Sequence, residues 1–232
     1  AIIAILASVL LPALNKARDK ATQINCLAKL KQIGTAVMQY SSDMNEYKPC
    51  SYRDYSWSYV WYYQLGSRTG DDRMDGDSYL PHPRKTQVGD EQSKKSFYVC
   101  SAYLNSNMYN GMQRSTYGLN ATQGVPRNLK LNRSNHDKTL SQSASKDHVI
   151  RNISAAWYVG CGVMLYARYH KALSYESFGS SDRIYPFHGK TIPMLFLDGH
   201  VKAISVHSYR TIKYGSISSA SIETQDFWGV RE

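Results

Sequence analysis

Apolar positions follow two regimes along the first forty residues. Between Ala1 and Leu14 only Ser8 and Pro12 interrupt the greasy run, and Ile2, Ile3, Ile5, Leu6, Val9, Leu10, Leu11 and Leu14 leave no polar face. From Leu10 onward the spacing Leu10, Leu14, Ala17, Ala21, Ile24, Ala28 keeps a single stripe at helical period, and Leu27, Leu30, Gly34, Val37 and Met38 continue it with a small rotation. The pattern predicts one helix over 1–40, apolar all round in 1–14 and amphipathic in 15–40. The nearly unbroken apolar opening before Pro12 spans only ~16 Å as a helix, about half of a ~30 Å hydrocarbon layer, so it reads as the continuation of a longer apolar segment. Pro12 removes a backbone donor and crowds the preceding turn, which predicts a kink or local melting there.

Past the helix, 41–232 is expected to form a head. The polar stretch Ser41 to Pro49 ends the helical period, and Trp57 to Leu65 suits either a short helix or a buried strand. Asp71, Asp72, Asp75 and Asp77 cluster around Gly76 as weak calcium candidates, but their spacing is not that of an EF-hand and a solvated turn is the simpler reading. Residues 81–147 lack a period and read as long loops with short elements. Trp157 to Leu165 reads as a buried strand. Met194 to Leu197, Asp198-Gly199, then His200 to Val206 reads as a hairpin, because Asp-Gly supplies the positive φ angles of a two-residue type I′ turn. A two-residue turn would place Phe196 opposite Val201 and Met194 opposite Ala203. These four would lie on the helix stripe of Ile24, Leu27, Leu30 and Val37, with His200 and Lys202 facing water. The fold class expected is α+β, a long N-terminal helix packed on a small antiparallel sheet.

Composition narrows the chemistry. The chain carries 28 Lys and Arg against 18 Asp and Glu, a formal charge of +10 that attracts DNA, anionic lipid or acidic glycan without choosing among them. No nucleic-acid motif, glycine-rich phosphate loop, G-x-S-x-G or H-E-x-x-H occurs, so no enzyme activity, catalytic residue or cofactor is expected. His188 and Asp198 invite an acid–base reading, but no matching nucleophile motif accompanies them, and His188 is read as structural, tying the loop before the hairpin to the Asp-Gly turn. Cys26, Cys50, Cys100 and Cys161 are widely spaced with no Cys-x-x-Cys, which argues against a metal site. Their even number favours disulfides in an exported chain, with three pairings open, while four reduced buried thiols are the alternative.

Three segments then carry a resemblance. The opening helix through CLAKLKQIG (26–34), the stretch from Cys100 to Ser115, Tyr117, Gly118 and Asn120, and His188 followed after nine residues by Asp198-Gly199 resemble, in order, the bacterial type IV pilin-like and type II secretion pseudopilin proteins that end in an H-x9-D-G motif. Lys29 stands where that family has asparagine, and Ser101 where it has proline. The resemblance implies a pilin-like fold, a preceding FTLIELLVVI-type opening, a structural role for Pro12, His188, Asp198 and Gly199, and a Cys26–Cys100 bridge that leaves Cys50 with Cys161. It also implies an extracellular filament subunit that waits in the inner membrane, is handled by pilus or secretion machinery, and becomes a homo-oligomer through its helix. A pseudopilin of a secretion machine and a surface module binding DNA or acidic glycan are the alternatives.

Overall fold

The computed structural model describes residues 2–44, 46, 48–49, 61–66, 78–81, 96–106, 115–120, 152–164, 172–173, 183–184, 187–206 and 222–228. Cys50 and the Asp71, Asp72, Asp75 and Asp77 cluster lie outside the described residues.

Helix α1 runs from Ile2 to Asp43 as one element of 42 residues. Among the described residues two short helices follow, α2 (Trp61–Gly66) and α3 (Ser101–Leu104), so the apolar stretch at Trp57 to Leu65 resolves, where described, as helix. The strands are β1 (Tyr117–Asn120), β2 (Trp157–Cys161), β3 (Val163–Met164), β4 (Ala172–Leu173), β5 (Arg183–Ile184), β6 (Thr191–Phe196) and β7 (Val201–Ser205), before a last helix α4 (Ile222–Trp228). The expected strand at Trp157 to Leu165 divides into β2 and β3 at Gly162, whose φ of 100° breaks the extended run. The larger sheet has the order β4-β1-β2-β6-β7. Its β1, β2, β6 and β7 pair antiparallel, as expected, and β4 adds to β1 in parallel. An α+β architecture with a long N-terminal helix on a largely antiparallel sheet follows directly.

Pro12 does not interrupt α1. Its missing amide removes a single hydrogen bond, and helix continues on both sides, so the melting expected from the sequence is absent here. The stripe that reaches the sheet is also rotated from the expected one. Cys26, Leu30, Ile33, Ala36, Val37 and Tyr40 are buried, whereas Ile24 is 58% exposed.

The hairpin is present, with a different turn. Leu195 pairs with Val201 and Met194 with Lys202, one residue out of the expected register. Gly199 N–H donates to the Phe196 carbonyl and Phe196 N–H to the His200 carbonyl, giving a three-residue loop, Leu197 to Gly199. The reason is local. Only Gly199, at φ 85°, takes a positive φ there; Asp198 does not, and a type I′ turn needs both. The shift re-sorts the faces. Leu195, Leu197 and Val201 join the core under α1, while Phe196 stacks on His200 at 4.3 Å and meets Phe227 of α4 at 6.5 Å on the opposite side. The central strands are therefore covered on both faces.

Gly199 is doubly constrained: a Cβ there would strain φ and sit 3.2 Å from Met38 Cε, and its carbonyl accepts from Lys31 Nζ at 3.0 Å. Gly199→Val is expected to destabilise the chain by about 1–3 kcal/mol, and Gly199→Asn by clearly less, because asparagine tolerates the left-handed region. Thermal melting of both variants checks this, and equal midpoints for valine and wild type would refute it.

Candidate functional site

Four segments distant in sequence converge under the helix. Cys26 projects from α1, Cys100 caps the N-terminus of α3, Cys161 ends β2, and His188 lies three residues before the first residue of β6. Main-chain bonding sets their places. Cys100 N–H donates to Thr116 Oγ1 at 2.7 Å, Thr116 N–H donates to the Tyr98 carbonyl at 2.9 Å, and Gly162 N–H donates to the Thr116 carbonyl at 3.1 Å. Thr116 thereby holds Cys100 and Cys161 on either side of itself. The β1–β2 ladder puts Tyr117 opposite Cys161, and the Tyr117 hydroxyl reaches across to Cys26 Sγ at 3.6 Å. His188 is fixed by a bridge to Thr191, whose hydroxyl donates to the His188 carbonyl at 3.2 Å.

The result is compact. His188 Nε2 lies 3.2 Å from Cys100 Sγ and 3.7 Å from Cys161 Sγ, and the donor atoms of all four residues lie within 4.8 Å of one another. The three thiols are free, so the expected Cys26–Cys100 bridge is not formed, and Cys161 is likewise unpaired. His188 does not reach the Asp-Gly turn either. Asp198 Oδ1 instead takes His200, through its backbone N–H at 3.1 Å and its ring Nδ1 at 2.6 Å. The motif's histidine and aspartate sit at opposite ends of β6, and six residues of strand separate them by about 20 Å.

The electrostatics are uneven. Hydrogen bonds from Cys161 and then Cys26, against the opposing effect of burial, with His188 adding to them, hold the Cys100 thiol far below its usual range. Burial pushes Cys26 and Cys161 up, and the Tyr117 hydroxyl with them. Lys29 lies one turn beyond Cys26, donates from Nζ to the Val99 carbonyl at 3.1 Å, and sits 5.7 Å from the Phe97 ring centroid. Desolvation lowers its pKa, and attraction to negative charge on Cys100, Cys26 and Cys161 opposes that. A lysine in the place of asparagine thus supplies a cation beside three sulfurs. A thiol next to an imidazole is also the arrangement of a nucleophile. Cys26, Cys100 and Cys161 are each no more than 2% exposed, so a substrate has no approach to the sulfurs.

The spacing rules used on the sequence could not reveal this cluster, because its donors come one at a time from separate segments. A signal was nonetheless present. Cys26, Cys100 and His188 each lie in a different one of the three segments that carry the family resemblance, and marks that recur together are candidates for meeting in space.

The second site is the far end of α1. Ile2, Ile3, Ile5, Leu6, Val9, Leu10, Leu11 and Leu14 are all exposed, from 58% to 83%, on every side of the helix. Ala7, Ala13 and Ala17 with Leu10, Leu11 and Leu14 line a shallow apolar groove along it. Among the described residues no helix is long and apolar enough to cross a membrane. No family model matches the chain, and comparison with curated proteins and with solved structures finds no match.

Proposed function

We propose that this chain is a structural subunit of an extracellular type IV pilus-like filament, assembled through the apolar half of α1. One observation carries the reading: eight large aliphatic side chains stand exposed around the first turns of a helix whose other half is locked into the head. Burying a side chain of that size is worth ~1.5–3 kcal/mol, so on the order of 10–20 kcal/mol is gained when lipid or neighbouring helices cover the set. A lone subunit in water forgoes it. Lipid tails and copies of the same helix satisfy this surface about equally, so the helix can leave the inner membrane for a filament core at little hydrophobic cost. The leucine ridges and alanine notches along the groove suit helix against helix. A short pseudopilus of a secretion machine uses the same geometry, and filament length on the cell surface separates the two. The alternative reading, a surface module for DNA or acidic glycan, rests on the basic charge of the chain; salt-sensitive retention beyond that of an equally basic control protein is its measure.

Helical reconstruction of purified filaments tests the reading. Residues 2–14 are expected in the core with the heads outside, and Pro12 at or beside a break in helical hydrogen bonding once neighbours set the path of the helix. Heads in the core, or a stable monomer of the full chain in detergent-free water, would overturn it.

A further inference from the structure

We propose that Cys26, Cys100, Cys161 and His188 form a closed Cys3His site for a single tetrahedral, thiophilic divalent cation, Zn2+ in the first instance, which clamps helix α1 to the head. The geometry is the first ground. Zn–S bonds of ~2.3 Å and Zn–N bonds of ~2.0–2.1 Å at tetrahedral angles set sulfur–nitrogen separations of about 3.6 Å and sulfur–sulfur separations of about 3.8 Å. The two sulfur–nitrogen distances, 3.2 and 3.7 Å, bracket that value, and no pair of donor atoms in the set lies beyond 4.8 Å. One ion fits among them; a multi-iron cluster would hold its thiolates further apart. Hard cations are disfavoured by a donor set without oxygen, whereas three thiolates and an imidazole are a standard structural zinc set.

Charge balance is the second ground. With all three cysteines as thiolates, bound Zn2+ leaves a centre of net charge −1, as two positive charges meet three thiolates and a neutral ring. Buried, that charge wants a cation nearby. Lys29 supplies it from the same face of α1 as Cys26, anchored on the Val99 carbonyl next to Cys100. Tyr117 adds a hydroxyl at Cys26 Sγ, and hydrogen bonds to coordinating sulfur are the outer support such centres use.

Economy of donors is the third. A disulfide between any two of the cysteines would leave the third thiol and the imidazole buried together without a common purpose; a cation engages all four. Nε2 is the ring nitrogen that faces the sulfurs, while Nδ1 is buried without a hydrogen-bond partner among the described residues, so the ring's described polar neighbours are the sulfurs themselves. Four protein ligands leave no open position, which marks the site as structural and not catalytic.

The full chain, purified in detergent without chelator or reductant, provides the test. One equivalent of zinc per chain is expected by elemental analysis, with Cys26, Cys100 and Cys161 protected from alkylation until a chelator and denaturant are added together. Removing the metal should lower the thermal midpoint. Reduced apoprotein titrated with Co2+ should develop the visible bands of a tetrahedral ion and the near-ultraviolet charge transfer of bound thiolates. Cys100→Ser and Cys161→Ser should lose uptake. Because these variants can also fail to fold, His188→Cys is the companion: it should retain one equivalent and intensify the thiolate charge transfer. A native disulfide between any two of the three cysteines, reduced full chain that takes up neither Zn2+ nor Co2+, or serine variants that bind as wild type would each overturn the proposal. None of these outcomes depends on whether filaments form, so this site and the assembly reading stand or fall separately.

Discussion

Gly34→Leu is expected to remove at least about 3 kcal/mol of stability, a large share of what a domain of this size possesses. At Gly34 α1 lies close against the sheet: a Cβ built there would lie 2.8 Å from Leu195 Cδ1 and 3.6 Å from the Gly199 carbonyl. Leu195, one residue from the end of β6, is 1% exposed, so its methyl group has little room to retreat. Alanine at the same position exposes the balance between two effects. It gains up to ~1 kcal/mol of helix propensity and loses ~1–3 kcal/mol to overpacking, so Gly34→Ala should be close to neutral or mildly destabilising. Leucine keeps the propensity gain but needs three further carbons of space. Denaturant unfolding of the three proteins, with the slope unchanged, checks the order wild type, alanine, leucine. A leucine variant as stable as wild type would mean that the helix does not approach the sheet this closely.

The second large effect comes from making one substitution in both halves of the helix. Leu30 is fully buried beside Cys26, and Leu30→Ala is expected to cost about 2–5 kcal/mol of folding stability through lost transfer energy and the cavity left behind. Leu10 is 65% exposed, and Leu10→Ala should change the stability of the isolated subunit by less than ~0.5 kcal/mol. Assembly is expected to reverse the ranking. Leu10→Ala should weaken filaments while leaving the head melt unchanged, and Leu10→Asp should abolish them. Melting and sedimentation of the same preparations measure the two quantities. Equal folding losses at both positions would show that the first turns belong to the folded core.

Helical periodicity made α1 legible because the signal repeats over 42 residues, and its end fell within three residues of that expected. Where the helix meets the sheet was less legible. A helix drifts against any fixed repeat, and an exposed Ile24 beside a buried Cys26 depends on what the head offers rather than on the helix's own sequence. The hairpin was recognisable from Asp198-Gly199, but the dipeptide alone does not say whether one or both residues adopt positive φ. That choice moves the register by one, and a one-residue slip exchanges the faces. It put Leu195, and not Phe196, under the helix opposite Val201, and turned Phe196 against Phe227. The sulfur cluster was illegible for a different reason. Metal-ligand patterns are local, whereas these donors lie far apart in the chain, 88 residues between Cys100 and His188 and 27 between Cys161 and His188, and only the tertiary fold measures the remaining distances.

Those separations also bear on how the chain folds. Apart from the β6–β7 hairpin, the larger sheet is stitched from strands far apart in sequence, β1 with β2 and β2 with β6, and the helix that covers it is made first and docks on β6 and β7. High contact order of this kind slows folding, because loop-closure entropy is lost before the distant contacts return it. The three sulfurs meet only once α1, α3 and β2 have come together, so until then they are separate, accessible thiols. Their encounter is a late event on the pathway, and whatever redox partner the chain meets before that moment acts on an unfolded polypeptide, not on the buried cluster of the folded chain.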